Sequence, residues 1–152
     1  MTAPGRLLGV DTGTVRVGLA VSDPDRKIAS PLATYQRQNR EKDAEYFRKL
    51  AAEEAIAGLV VGLPVHTTGR ERTKAAEART FGAWLGQATG LPVVYFDERF
   101  TTVEAESSLW NAGLTHKQRK ARRDRVAAQI MLQGYLDGGC PKEEGTRDLA
   151  GE

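Results

Sequence analysis

The chain has 152 residues, 40% of them apolar and 28% charged, and a net charge of +2; a chain this long buries about two thirds of its unfolded surface around one core. The scattered Pro and Gly residues exclude a disordered, collagen-like or disulfide-scaffold chain, and the single Cys140 excludes an internal disulfide, so an ordinary unpaired thiol in a reducing cytoplasm is expected. No apolar stretch reaches membrane-spanning length, and the run from Leu7 to Val10 meets Asp11 too soon for a secretory segment, so no membrane partner is expected.

Residues 7–11 read as a short buried strand. The turn Thr12-Gly13-Thr14 leads into a second strand over 16–22, where Val17, Leu19 and Val21 alternate with Gly18 and Ala20, and the pair reads as a hairpin. A third strand is expected over 28–35, and Pro31 suits it to a sheet edge because proline cannot donate to a ladder. Residues 40–56 turn helical, with Ala44, Phe47, Leu50 and Ala51 on one stripe, and Gly58 is the expected end signal. A buried strand over 59–63 follows, then an amphipathic helix over 71–88, stopped by Gly90 and Pro92, and a strand over 93–96. Thr101-x-x-Glu104 matches a capping box and opens a helix to about Trp110. A last helix is expected over 124–136, and the tail from Gly138 onward shows no periodicity and is expected to fray. One domain over 1–138 with a flexible 139–152 tail is the expected organisation.

The order β-β-β-α-β-α-β-α implies an α/β fold, a mixed sheet flanked by helices. Three places in that order carry acids that could do chemistry. Asp11 ends an apolar strand beside a glycine turn, where backbone approaches phosphate closely; a plain turn aspartate is the alternative. Asp97 and Glu98 end another apolar strand, the end at which open sheets bind ligands, or else they face water with Arg99 as ion-pair partner. Asp124 precedes Ala127, Ala128, Met131 and Tyr135 at i+3, i+4, i+7 and i+11. That stripe turns its carboxylate inward, where it needs a cation; a helix cap or first-turn acid is the competing reading.

Acids from three separate segments repel one another unless a divalent cation neutralises them, and Mg²⁺ or Mn²⁺ suits hard carboxylate oxygens while keeping positions for substrate phosphate. No serine elbow, P-loop or HExxH pattern competes with that chemistry. The overall charge does not predict a nucleic-acid partner, but Lys117, Arg119, Lys120, Arg122, Arg123 and Arg125 form a local basic run with no carboxylate until Asp124. Thr115-x-x-Gln118 resembles a further capping box, so the run is either helical, as a solvated face, or a loop that orders on substrate. Arg16 and Arg99 either grip phosphate with their planar forks or pair with Asp23 and Asp97. Thr101 and Thr102 read as caps first and substrate contacts second, and His66 and His116 as solvated histidines.

The run from Leu8 through Asp11-Thr12-Gly13-Thr14 and Arg16 to Asp23 resembles the opening signature of the YqgF/RuvX family. Val61-Gly62-Leu63-Pro64 with Gly69 resembles its central loop, Asp97-Glu98-Arg99-Phe100-Thr101-Thr102 its DERxTT motif, and Asp124 with Ala127-Ala128 its last-helix motif. The resemblance spans residues 6 to about 136 and implies an RNase H-like, five-stranded nuclease of the Holliday junction resolvase superfamily. It implies a phosphodiester hydrolase acting in 5′-end maturation of pre-16S rRNA, in junction resolution, or in both, with precursor rRNA or branched DNA as partner and a homodimer left open. Carried over by position, Asp11, Glu98 and Asp124 are the metal-binding acids, with Asp97 as the alternative to Glu98. Resolvase relatives take an acid from the end of the fourth strand, where this chain has Leu63-Pro64. Arg123 and Arg125 also stand where the family more often has an aliphatic and a small residue. A non-catalytic RNA-binding maturation factor is the alternative function. An actin-like ATPase fragment is disfavoured, because that architecture needs two such domains.

Overall fold

The computed structural model describes residues 5–64, 69–98 and 113–141. Three strands open the chain, β1 (Arg6–Thr12), β2 (Arg16–Ser22) and β3 (Ala29–Gln36), followed by helix α1 (Arg40–Glu53), strand β4 (Ile56–Leu63), helix α2 (Gly69–Thr89), strand β5 (Val93–Asp97) and helix α3 (His116–Asp137). The strands form one sheet in the order β3-β2-β1-β4-β5. β2 is antiparallel to both β1 and β3, whereas β4 runs parallel to β1 and to β5. This is the mixed five-stranded sheet expected from the element order, and Pro31 lies in the edge strand β3.

Alternation along the strands separates two cores. Leu8, Val10, Val17, Leu19, Leu59 and Val61 face α1 and α2 and pack with Phe47, Phe81 and Leu85. Leu7, Ala20, Val60, Val94 and Phe96 face α3 and pack with Ala128, Met131, Leu132 and Tyr135. β4 is covered on both faces, which is why its sequence is a continuous apolar run. Each fully buried Leu or Phe contributes about 1.5–3 kcal/mol relative to exposure.

Two helix boundaries differ from the sequence expectation, each for a local reason. α1 ends at Glu53, and the chain reverses through Ala55 in the left-handed region (φ 53°). Gly58 therefore lies inside β4 and is not the stop signal. α3 begins at His116, well before Asp124, because Thr115 and Gln118 close a reciprocal capping box: Gln118 N donates to Thr115 Oγ1 (3.1 Å) and Thr115 N to Gln118 Oε1 (2.9 Å). The first two turns of α3 carry the basic run and almost no apolar residue, so hydrophobic periodicity marks only the later turns. The expected helix from Thr101 to Trp110 and most of the tail lie outside the described residues.

Polar bonds fix how α3 lies on the sheet. Gln133 accepts from Ala29 N (2.8 Å) and donates to Lys27 O (2.9 Å), while Gln129 donates to Ala29 O (3.2 Å). Two turns earlier, Thr34 Oγ1 donates to the carbonyl of Ala121. On the other face, buried Asp43 accepts from Tyr35 Oη (2.6 Å) and Gln38 N (2.9 Å), tying β3 to α1.

The capping box makes Thr115→Ala a direct test of where α3 begins. The substitution is expected to lower stability by about 1 kcal/mol, read as a lower urea midpoint at unchanged slope. A midpoint equal to that of the parent protein would place the start of the helix elsewhere.

Candidate active site

Asp11 stands one residue from the end of β1, opposite Gly18 of β2. Alternation from Leu7 places it on the α3 face of the sheet. α3 crosses β2 there so closely that a Cβ on Gly18 would overlap the carbonyl of Asp124. Asp124 therefore comes beside Asp11 because position 18 carries no side chain. Glu98 follows directly on β5, and its carboxylate lies over Gly62 of β4, where a Cβ would come 2.7 Å from Glu98 Oε2 and 3.1 Å from Met131 Cγ. Its side chain is hydrogen-bonded to Asp11. Three acids from β1, the end of β5 and α3 thus meet at one end of the sheet, and of the pair Asp97 and Glu98 it is Glu98 that reaches Asp11.

The electrostatics follow from that crowding. Burial, then the charges of Glu98 and Asp124, then the hydrogen bond with Glu98 push the Asp11 carboxyl up to about 8. Burial also raises Glu98, as does the charge of Asp97, while the bond from Asp11 works in the opposite direction. The pair holds a proton where isolated carboxylates would have none. Arg16, one turn away in sequence from Asp11, donates from Nε to Asp124 Oδ2 at 2.6 Å. Asp23, one of the partners expected for Arg16, is used otherwise: it accepts from Lys27 N (2.7 Å) and Ile28 N (2.9 Å) in the β2–β3 turn.

The donor set is all hard carboxylate oxygen, and its excess negative charge favours a positive ion. Chemically it fits Mg²⁺ or Mn²⁺. As the side chains stand, the three acids are neighbours without forming a closed cage: among the described residues no group of three or more His, Cys, Asp or Glu is arranged to hold a metal ion. Asp124 Oδ2 is turned to Arg16 instead, so a metal ion held by all three acids would compete with that ion pair for the Asp124 carboxylate.

The basic run is helical, and its spacing divides it between two sides of α3. Lys117, Lys120 and Asp124 recur at intervals of three and four and share one face, whereas Arg119, Arg122 and Arg123 form a second row. Asp124 lies in the third turn, so it is neither a cap nor a first-turn acid. Arg99, Thr101, Thr102 and His66 lie outside the described residues.

Two features near the acids gave no signal in the sequence. Among the described residues, Thr12 Oγ1 is buried without a hydrogen-bond partner. Arg37, just past β3, donates to Gly13 O (2.9 Å) and places its guanidinium 4.6 Å from the Phe81 ring centroid. Neither belongs to a recognisable spacing, because each meets its neighbours only through the fold.

Comparison with known proteins gives a consistent result. The family described as "RuvX: Holliday junction resolvase" matches residues 5–138. A protein of Rhodopirellula baltica named "Putative pre-16S rRNA nuclease" is 51% identical over 135 residues, covering 89% of this chain and 78% of that one. A protein of Rhodobacter capsulatus with the same name is 44% identical over 133 residues, covering 88% and 84%. Among solved structures, T. thermophilus RuvC in complex with a Holliday junction substrate is similar in fold, with a TM-score of 0.55 at 15% identity, covering 91% of this chain and 98% of that chain.

The raised Asp11 carboxyl gives a signed pH prediction. Its folded value of about 8 lies above the ordinary 3.8, so the folded state binds the proton more tightly than the unfolded state does. The penalty for ionising it is absent below pH 4, grows as pH rises, and is complete above pH 8. In EDTA, the melting temperature is expected to fall between pH 5.5 and 8.5, and Asp11→Asn to flatten that slope and melt higher than the parent at pH 8.5. Parallel slopes for the two proteins would show that Asp11 titrates normally.

Proposed function

The chain belongs to the RuvX family, and from that membership and the site geometry we propose that it is a nuclease, hydrolysing phosphodiester bonds with Mg²⁺ or Mn²⁺. The observation that carries the reading is the meeting of Asp11, Glu98 and Asp124 at one end of the sheet with the Asp11 carboxyl pushed up to about 8. Buried acids with strongly raised pKa values cluster at functional sites, and added positive charge relieves the repulsion among these three. The names of the relatives point to pre-16S rRNA as substrate and the family description points to Holliday junctions; of the two we favour precursor rRNA, cut at its 5′ end.

In this reading Asp11, Glu98 and Asp124 are the metal ligands, with Asp97 beside them adding negative charge. A bound divalent ion would lower the pKa of a water and stabilise charge on the leaving oxygen. The chain's own residues do the rest. Arg16, released from Asp124, turns its fork to a phosphate oxygen. Lys117 and Lys120, on the Asp124 face of α3, screen the neighbouring phosphates, and Arg119, Arg122 and Arg123 extend the field along the helix. Arg99, Thr101 and Thr102 are assigned to substrate binding by their place in the motif. We further propose that residues 1–138 act as one nuclease unit in the cytoplasm, as a monomer or a homodimer; among the described residues no helix is long and apolar enough to cross a membrane.

One observation favours the second reading, a maturation factor that binds RNA without cutting it. The Arg16–Asp124 pair and the Asp11–Glu98 bond already satisfy the acids within the protein. The two readings separate in one experiment. A precursor rRNA fragment and a four-way junction are incubated with the protein in Mg²⁺ or Mn²⁺, and Asp11→Asn is expected to reduce the cleavage rate on the order of a thousand-fold while leaving binding intact. Cleavage at the parent rate by Asp11→Asn would defeat the nuclease reading, and binding with no cleavage by either protein would establish the alternative.

A further inference from the structure

A cavity of about 1000 Å³ opens on the α1–α2 side of the sheet, beginning at Arg16 and Asp124 and passing under the β1–β2 turn towards α2. It lies at the upper end of the roughly 300–1,000 Å³ range of small-ligand pockets, and its polar groups are unevenly matched. Thr12 Oγ1 is a buried hydroxyl with no partner among the described residues. Among the described residues, the five N–H donors of the Arg37 guanidinium make one protein bond, to Gly13 O. Among the described residues, Arg40 and Lys74 make no ion pair. Of the acids on the lining, Asp124 is paired with Arg16, while Asp43, hydrogen-bonded to Tyr35 and Gln38, and Glu77 stand against Arg37, Arg40 and Lys74, so the lining keeps a small formal excess of positive charge. Donors and positive charge are in surplus, so the complementary ligand is rich in acceptors and anionic.

The cavity also has an aromatic wall. Phe81 packs against Phe47 (6.1 Å between centroids) and Trp84 (5.5 Å), with the Arg37 guanidinium on its ring, so Trp84 is a half-buried indole held by the core behind it. A flat ring fixed in this way, beside loose cations, is the combination that binds unpaired bases along a phosphate backbone. A duplex would offer phosphates to the cations but no exposed base face to Trp84.

We propose that this cavity is a second nucleic-acid subsite, taking a single-stranded segment that continues from the acid site over the β1–β2 turn, with phosphates against Arg37, Arg40 and Lys74 and a base against Trp84. The inference rests on the nuclease reading for its choice of polymer, but not on metal binding or cleavage. It accounts for the two features the acids leave unexplained, the unpartnered Thr12 hydroxyl and the guanidinium pinned on Phe81.

The full chain carrying Trp110→Phe, in which Trp84 is the remaining tryptophan, is titrated in EDTA with ten-nucleotide RNA and DNA strands of one sequence, with a mononucleotide and with inorganic phosphate. Each strand is expected to quench Trp84, far more tightly than the mononucleotide or phosphate. Arg40→Glu and Lys74→Glu, both at exposed helix positions, are each expected to weaken strand binding about tenfold and to reduce the log–log salt slope by about 0.7. Anisotropy of a labelled strand on the unmodified protein repeats the affinity measurement without the tryptophan change. Preference for RNA over DNA, or equal binding of both, agrees with the subsite. Quenching by the mononucleotide at the same affinity as the strand, or charge reversals that leave affinity and slope unchanged, would overturn it. Cleavage by the parent chain separates the two proposals: strand binding by a parent protein that cleaves neither substrate in Mg²⁺ or Mn²⁺ removes the nuclease reading alone, and cleavage by a parent protein whose Trp84 ignores the strand removes the subsite alone.

Discussion

Negative charge concentrated at the end of a sheet is the constraint from which the rest of the structure follows. Asp11, Glu98 and Asp124 come from three elements far apart in sequence, and bringing them together costs both desolvation and mutual repulsion. The protein without metal answers this in two ways at once. A shared proton sits between Asp11 and Glu98, and the Arg16 guanidinium neutralises Asp124. On the proposed reading both are reversible: a divalent ion would displace the proton and the guanidinium, because it would supply more charge to the same oxygens than either does.

A strained cluster of this kind persists only on a rigid frame. β4, covered on both faces, anchors the parallel half of the sheet, and Gln129 and Gln133 of α3 clamp the start of β3. The helix then lies flush against β2 at Gly18, and Glu98 against Gly62, because the two positions have no side chain. Small residues at the crossing points and polar clamps at the far end act together. The clamps set the lengthwise position of α3, the glycines set how near it comes, and only both together bring Asp124 level with Asp11. The stability of the domain and the geometry of the site are therefore not independent: a change that lifts α3 from the sheet would separate the acids before it unfolded the chain.

What the sequence revealed follows the same division. β1, β2 and the parallel strands were legible because burial of a strand dictates apolar residues at every covered position, and Asp124 was legible as an inward acid because its stripe continues through Met131 and Tyr135. The first turns of α3 were not, since their packing against β3 runs through backbone, as in the bond from Thr34 to the Ala121 carbonyl; only the Thr115–Gln118 cap betrays them. The end of α1 was misplaced because an alanine took the left-handed turn that glycine usually takes. The pairing of Arg16 with Asp124, 108 residues apart, has no local signature at all. The groove beside the acids was equally silent: Thr12, Arg37, Arg40, Lys74 and Trp84 come from separate elements and meet only when β3 delivers the chain to α1 beneath the hairpin turn.

Arg16 joins these two regions, since it lines the groove and holds an acid of the site. A phosphate arriving along the groove meets the guanidinium first. Two good acceptors, one carboxylate and one phosphate, then compete for one fork, and every step by which Arg16 turns to the phosphate leaves Asp124 with uncompensated charge. That charge raises the affinity of the acids for a divalent ion, while an ion already bound loosens Arg16 and raises its availability to phosphate. Because free energies of binding are linked, each ligand favours the other by the same factor. On the proposed reading, a guanidinium placed between a strand and an acid cluster would therefore make metal and nucleic acid assemble together, and in the absence of both it offsets the charge of Asp124.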